Sequence, residues 1–106
     1  MAASTPFLAD ICEPVASGSV YPQQLSTFLC GGAPIPPVLI DRAIKELGVD
    51  VRSLWGMTET LGATLTEPER ASEKSSTTDG SAVPGMEVKV VNSHGDILPI
   101  GETGSL

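Results

Sequence analysis

The residues of this sequence with the clearest chemical potential are Trp55-Gly56-Met57-Thr58-Glu59. An aromatic ring can stack on a planar base, and Gly56 would let a ligand approach the backbone closely. Thr58 offers a hydroxyl to a phosphate oxygen, and Glu59 offers a carboxylate to Mg²⁺, which binds through a few carboxylates plus substrate phosphates. The structural alternative is a core Trp, a turn Gly, and a helix N-terminus capped by Thr58 with Glu59 in its first turn.

A second unusual segment is Gly31-Gly32-Ala33-Pro34. It lacks large side chains, so it could present a flat backbone surface against which a base lies. Alternatively, it is only a turn from a strand to a helix that needs a positive φ.

The elements around these two segments predict a βαβ unit. An apolar run over residues 25–30 indicates a buried strand, and the run over 49–55 indicates a second one. Between them we expect a helix from Pro36 or Pro37 to Leu47, which Gly48 would end. A right-handed βαβ connection makes the two strands parallel. Ligands bind beyond the carboxyl ends of parallel strands, so both unusual segments should lie at one edge of the sheet.

The N-terminal part predicts a helix that begins at Ser4-Thr5-Pro6, with a hydroxyl cap and proline in the first turn. Pro14 should end this helix. Residues 16–24 are small and polar and indicate a loop, and residues 66–80 indicate a mobile surface loop.

The last part of the chain predicts antiparallel structure. Met86, Val88 and Val90 alternate with charged residues, which is typical of a half-exposed strand. A hairpin turn should follow at residues 92–95, and another strand should begin at Gly101.

Composition excludes several classes of function. The 106 residues carry a formal net charge of −7 and no basic cluster, which argues against nucleic acid or an anionic membrane as partner. No apolar run approaches the ~20 residues of a spanning helix, and no signal peptide is visible, so we expect a cytoplasmic protein. Cys12 and Cys30 should be buried reduced thiols. His94 is the only histidine, which argues against a histidine metal site or a Ser-His-Asp triad.

Taken in order, the segments resemble the central part of the acyl-adenylate-forming superfamily. That superfamily contains acyl-CoA synthetases, firefly-type luciferases and the adenylation domains of peptide synthetases. The resemblance covers roughly residues 25–106 and depends on GGAP, on Trp-Gly-Met-Thr-Glu, and on the tail PGMEVKVVNSHGDILPIGETG. It implies an α/β fold in which residues 1–80 belong to the α/β subdomain of the AMP-binding N-terminal domain. Residues 81–106 would begin its β-barrel-like subdomain with an antiparallel hairpin.

The resemblance also implies roles for the nucleotide-binding residues. Gly32, Ala33 and Pro34 would line one face of the adenine, and Trp55 would cover the other. Many members have Tyr at the position of Trp55, so a hydrogen bond made by that phenol would be lost here.

The same resemblance places the reacting groups along the segment that follows Trp55. Thr58 would contact the α-phosphate of ATP or of the acyl-adenylate, and Glu59 would hold Mg²⁺. Gly56 and Met57 would border the acyl group, and Leu54 stands where some members have Gly, which narrows the adjacent pocket.

The reaction implied is ATP-dependent activation of a small carboxylic acid, followed by transfer to coenzyme A. The leading hypothesis is an acyl-CoA synthetase for fatty or alicyclic acids. The alternatives are an adenylation domain that loads a carrier protein and a non-catalytic βαβ binding module. The family's phosphate loop would precede residue 1, and its ribose-binding aspartate and catalytic lysine would follow residue 106. We therefore expect this chain alone to be inactive, and its unpaired strands to promote self-association.

Overall fold

A five-stranded mixed sheet organises the protein, in a computed structural model that describes residues 1–18 and 24–106. The strands follow chain order across the sheet. They are β1 (Ala2–Ser4), β2 (Thr27–Gly31), β3 (Asp50–Met57), β4 (Leu61–Leu65) and β5 (Ser81–Ala82). The helices are α1 (Thr5–Ala16), α2 (Pro37–Leu47), a 3₁₀ helix (Pro68–Arg70) and α3 (Ala71–Lys74).

The parallel βαβ unit is confirmed. Strands β2 and β3 pair in parallel from Thr27 opposite Asp50 to Gly31 opposite Leu54, with α2 between them in the chain. Strand β1, which the sequence did not predict, pairs in parallel with β2 on its other side. Three parallel strands therefore end at one edge of the sheet.

Helix α2 has the predicted bounds. Its apolar stripe places Ile40, Ala43 and Leu47 in the core, where each is at most 1% exposed. Gly48 ends the helix with a φ of +62°, and its N–H donates to the carbonyl of Ile44 at 3.0 Å. Glycine adopts this left-handed conformation without a Cβ clash.

The core lies between the sheet and helices α1 and α2. Its fully buried members are Leu8 and Cys12 of α1, Phe28 and Cys30 of β2, Ile40, Ala43 and Leu47 of α2, and Val49 and Val51 around the start of β3. Burial raises the pKa of both cysteine thiols, since an apolar surrounding disfavours the thiolate. Both thiols therefore remain protonated and act as apolar core groups, as predicted.

Two expectations for α1 were wrong. The helix continues past Pro14 to Ala16 because Ser17 closes its last turn. The Ser17 N–H donates to the carbonyl of Glu13 at 3.1 Å, and its hydroxyl donates to the carbonyl of Pro14 at 2.9 Å. In addition, the side chain of Ser4 makes no capping hydrogen bond. The predicted 16–24 loop lies largely outside the described residues, which resume at residue 24.

The predicted mobile loop at 66–80 was also wrong. It contains the 3₁₀ helix and α3, and it packs against β3 through Ala71 and Ser75, which are 4% and 3% exposed. The hydroxyl of Ser53 donates to the carbonyl of Ser75 at 2.5 Å and fixes this segment to the sheet. Its Ser- and Thr-rich composition resembles a loop because the hydroxyls bond to backbone rather than forming an apolar stripe.

The tail differs from the predicted antiparallel strands. Residues 86–90 form no strand, and β5 instead pairs with β4. Val91 makes isolated antiparallel bridges to Ile97 and Ser105. The predicted turn at 92–95 is present, since the Asn92 N–H donates to the carbonyl of Asp96 at 3.0 Å. The division of the chain between residues 80 and 81 stays a prediction.

Candidate functional site

The segment from Trp55 to Glu59 forms the end of one strand and the start of the turn of a β-hairpin. Strand β3 runs two residues beyond its predicted end, through Gly56 and Met57, and β4 returns antiparallel to it. The Met57 N–H donates to the hydroxyl of Thr60 at 3.2 Å, and the Thr60 N–H donates to the Met57 carbonyl at 3.1 Å. The alternative in which Thr58 caps a helix is therefore wrong, because residues 58–60 are the turn of this hairpin.

The two unusual segments meet in one cleft of about 400 Å³. Residues that follow β2 line one side, and residues near the end of β3 line the other. The lining consists of Gly32, Ala33, Pro34, Ile35, Leu54, Trp55, Gly56 and Asp79. The topological expectation that both segments lie at one sheet edge is thus confirmed, and Trp55 lines the same cleft as the GGAP turn.

Thr58 and Glu59 lie beyond this cleft, at the tip of the hairpin. Both are exposed, and so is Met57, with 51% of its surface accessible. Glu59 makes no ion pair with any described residue, so its carboxylate is open to a cation. Within the described residues no three His, Cys, Asp or Glu side chains come together as a metal site. One carboxylate fits Mg²⁺ when substrate phosphates and water supply the remaining ligands.

Three positions near the cleft require glycine, and the structural reason differs among them. Gly32 has a φ of +77°, so the turn after β2 does require a left-handed residue. A Cβ on Gly31 would lie 2.1 Å from the carbonyl oxygen of Leu54, and a Cβ on Gly56 would lie 1.6 Å from that of Leu61. The close approach at Gly56 is therefore one between strands, which the sequence interpretation had assigned to a ligand.

Two residues that support the site were not predicted from the sequence. The buried Thr5 hydroxyl of α1 reaches the carbonyl of Pro34 at 3.3 Å and that of Ala33 at 3.4 Å, so α1 supports the GGAP turn. Asp79 enters the cleft because the Thr64 hydroxyl donates to its carbonyl at 2.6 Å. Both contacts join residues far apart in the chain, and no local sequence pattern marks them.

No helix in the described residues, 1–18 and 24–106, has both the length and the apolar character needed to cross a membrane.

Comparison with known proteins gives a consistent assignment. The family model of AMP-binding enzymes matches residues 1–106. The medium-chain fatty-acid–CoA ligase of Escherichia coli K12 is 31% identical over 104 residues, which is 98% of this chain and 18% of that protein. A 3-[(3aS,4S,7aS)-7a-methyl-1,5-dioxo-octahydro-1H-inden-4-yl]propanoyl:CoA ligase of Rhodococcus jostii RHA1 is 37% identical over 79 residues, 74% of this chain and 15% of that protein.

Solved structures share the fold. A long-chain-fatty-acid-CoA ligase from Archaeoglobus fulgidus superposes with a TM-score of 0.82 at 28% identity, over 97% of this chain and 23% of that one. The O-succinylbenzoate coenzyme A synthetase of Bacillus subtilis, in complex with ATP and magnesium ion, gives a TM-score of 0.74 at 25% identity, over 95% and 20%. The chain spans less than a fifth of the length of the two curated ligases. With the family model matched over its whole length, the chain belongs to the AMP-binding enzyme family.

Proposed function

We propose that this chain supplies one wall of the adenylate site of a carboxylate–CoA ligase. The observation that carries the proposal is the cleft that the GGAP turn and Trp55 line together. A base between the Ala33–Pro34 backbone and the indole would be held by stacking and by exclusion of water, which is sequence-tolerant binding of a planar ring. The CoA ligases among the similar proteins support this reading of the cleft.

The hairpin tip extends the same wall towards the phosphates. In the proposed complex, Thr58 would donate its hydroxyl to an α-phosphate oxygen, and Glu59 would hold Mg²⁺. When bound, the metal neutralises charge on the transferring group. Gly56 and Met57, next to the turn, would border the acyl chain. The chain contributes charge stabilisation and alignment, since its two cysteines are buried thiols and cannot serve as nucleophiles at this site.

The wider assignment follows from this one. We propose ATP, Mg²⁺ and coenzyme A as ligands of the complete protein, a small carboxylic acid as its substrate, and the cytoplasm as its location. Residues 31–34 and 54–59 would contact the two faces of the base, the α-phosphate and Mg²⁺, but none of them is assigned to the ribose or to the remaining phosphates. The isolated chain is therefore proposed to be inactive in adenylation.

The test is acid-dependent pyrophosphate release by the complete protein that carries this sequence. With ATP, Mg²⁺ and a panel of fatty and alicyclic acids, we expect pyrophosphate release, and an acyl-CoA product when coenzyme A is added. If the complete protein transfers the acyl group to a carrier protein but not to coenzyme A, the carrier protein replaces coenzyme A as the proposed acceptor. Absence of nucleotide binding with and without Mg²⁺ would leave a non-catalytic binding module and reject the proposal.

A further inference from the structure

The cations of this acidic chain are unevenly paired. Three of its six Lys and Arg residues make ion pairs, namely Arg42 with Glu13 and Glu46, Arg52 with Asp50, and Lys89 with Glu87. The other three, Lys45, Arg70 and Lys74, make none with the described residues. Two of these three, Arg70 and Lys74, line the same cleft, which has a volume of about 240 Å³.

Arg70 and Lys74 are held near each other by the local fold. Arg70 ends the 3₁₀ helix and Lys74 ends α3, so the two residues are one helical turn apart. Like charges at this spacing repel each other. The turn is fixed nevertheless, because the Arg70 N–H donates to the Glu67 carbonyl and the Ser75 N–H donates to the Ala71 carbonyl, both at 3.1 Å. An anion between the two cations would remove this repulsion.

The floor of the cleft carries an unpartnered polar group. Thr66 is 2% exposed, lines the cleft, and its hydroxyl has no hydrogen-bond partner among the described residues. A buried hydroxyl without a partner is unfavourable, and this oxygen has less than 1 Å² of accessible surface, so a ligand gains it as a partner only by a small displacement of the atoms that cover it. Thr78, Gly80 and Ser81 complete the lining together with Glu67, whose carboxylate leaves the cleft with one net positive charge.

We propose that this cleft binds a phosphate-class oxyanion between the Arg70 guanidinium and the Lys74 ammonium, with the Thr66 hydroxyl as a further partner. The planar donors of Arg and the point charge of Lys both suit phosphate oxygens. Asp79 lines the Trp55 cleft, whereas its neighbours Thr78 and Gly80 line this one, so the segment they form separates the two clefts. The proposal is therefore independent of the nucleotide assignment.

The test is a titration of the ¹⁵N-labelled chain with inorganic phosphate and, separately, with glucose 6-phosphate as a phosphate monoester. We expect saturable shifts of the amide signals of residues 66–81, and the tighter of the two probes identifies free phosphate or a phosphate ester as the source. Arg70→Gln and Lys74→Gln should each weaken binding about tenfold, as expected for loss of one charge-assisted hydrogen bond. Thr66→Val should weaken binding while keeping the size of the side chain.

Lys45→Gln provides the matched control, because Lys45 is an unpaired, exposed cation on α2 that does not line the cleft. It should leave the phosphate affinity unchanged within about twofold. Shifts that do not saturate, that sodium chloride reproduces at equal ionic strength, or that decrease equally in Lys45→Gln and Arg70→Gln would overturn the proposal. Each variant's amide spectrum without phosphate shows whether the fold is intact, and the exposed Arg70 site tolerates the change.

Discussion

At the scale of single residues, Trp55 is the side chain on which the proposed binding of the base depends most. Trp55 lines the same cleft as Ala33 and Pro34 and is only partly buried. Where related enzymes carry Tyr, this chain has no phenol oxygen, so stacking is the main interaction proposed for this ring. If the proposal is correct, a substitution that removes the ring weakens nucleotide binding.

We expect Trp55→Ala in the complete enzyme to raise the KM for ATP by about tenfold or more, because base–aromatic stacking contributes roughly 1–3 kcal/mol. Trp55→Phe keeps a stacking ring and should retain most of the affinity. The measurement is the ATP dependence of pyrophosphate release for both variants. Equal KM values in Trp55→Ala and the parent enzyme would contradict the placement of the adenine.

Glu59 should affect the chemical step more than nucleotide binding. Its carboxylate lies at the exposed hairpin tip without a cationic partner among the described residues, as a Mg²⁺ ligand requires. Glu59→Gln should lower kcat for adenylation about hundredfold and raise the Mg²⁺ concentration for half activity. Glu69→Gln, which removes an exposed carboxylate from the 3₁₀ helix, is the control and should change neither value. A normal Mg²⁺ dependence in Glu59→Gln would disprove the metal assignment.

At the scale of elements, the β3–β4 hairpin carries Trp55 together with Thr58 and Glu59, the proposed ligands of the phosphate and of Mg²⁺. Its strands shift register between Trp55 and Gly56, and Leu61 closes the turn with a φ of +57°, which is unusual for a bulky residue. The backbone at Gly56 lies directly against that of Leu61. The position of Thr58 and Glu59 therefore depends on glycine at residue 56.

Gly56→Ala should destabilise the protein by about 3 kcal/mol, because the new Cβ would lie 1.6 Å from a backbone oxygen that cannot move without separating the strands. Gly62→Ala in the same hairpin is the matched control. Its Cβ would meet only the Cδ1 of Leu54 at 3.0 Å, and that side-chain end can rotate away. Urea unfolding of both variants measures the difference. Equal losses of stability would show that the close approach does not decide the effect.

The elements that could be predicted from the sequence are those with a local signal. Helix α2 has an apolar stripe, proline at its start and glycine at its end, and its bounds agree with the structure. Strand β4 was not predicted. Only three residues separate Leu61–Leu65 from the end of β3, and they contain no glycine, proline or asparagine to indicate a turn. The Ser- and Thr-rich α3 region has the composition of a loop, and its order comes from the long-range hydrogen bond between Ser53 and Ser75, which no local pattern indicates.

The candidate site likewise contains some residues that the sequence predicts and others that it does not. The GGAP turn and Trp55 were predicted to lie together because a βαβ unit brings the ends of its strands to one edge. Asp79 and Thr5 were missed because their places depend on single hydrogen bonds to Thr64 and to the Ala33–Pro34 carbonyls. A sequence shows hydroxyls that can form such bonds but does not show which backbone they reach.

At the scale of the whole molecule, the last part of the chain adds little to the core. Every buried residue of the described chain lies at or before Ser75, and the segment after Pro84 is exposed or half-buried throughout. The radius of gyration of 15.5 Å exceeds the ~13 Å expected for a compact domain of about 100 residues. The longest dimension is 53 Å, more than twice the others. Apolar side chains that a compact domain would cover are thus left on the surface.

Self-association of the isolated chain is the expected consequence. Val38, Leu61 and Ile100 are 76%, 81% and fully exposed, and exposed apolar surface promotes association. In sedimentation velocity, the average mass should rise with protein concentration. Ile100→Lys should reduce this rise, whereas Thr103→Lys, which adds the same charge at an exposed polar position nearby, should reduce it less. A chain that sediments as a monomer at every concentration, or two variants with equal effects, would show that these apolar side chains do not drive assembly.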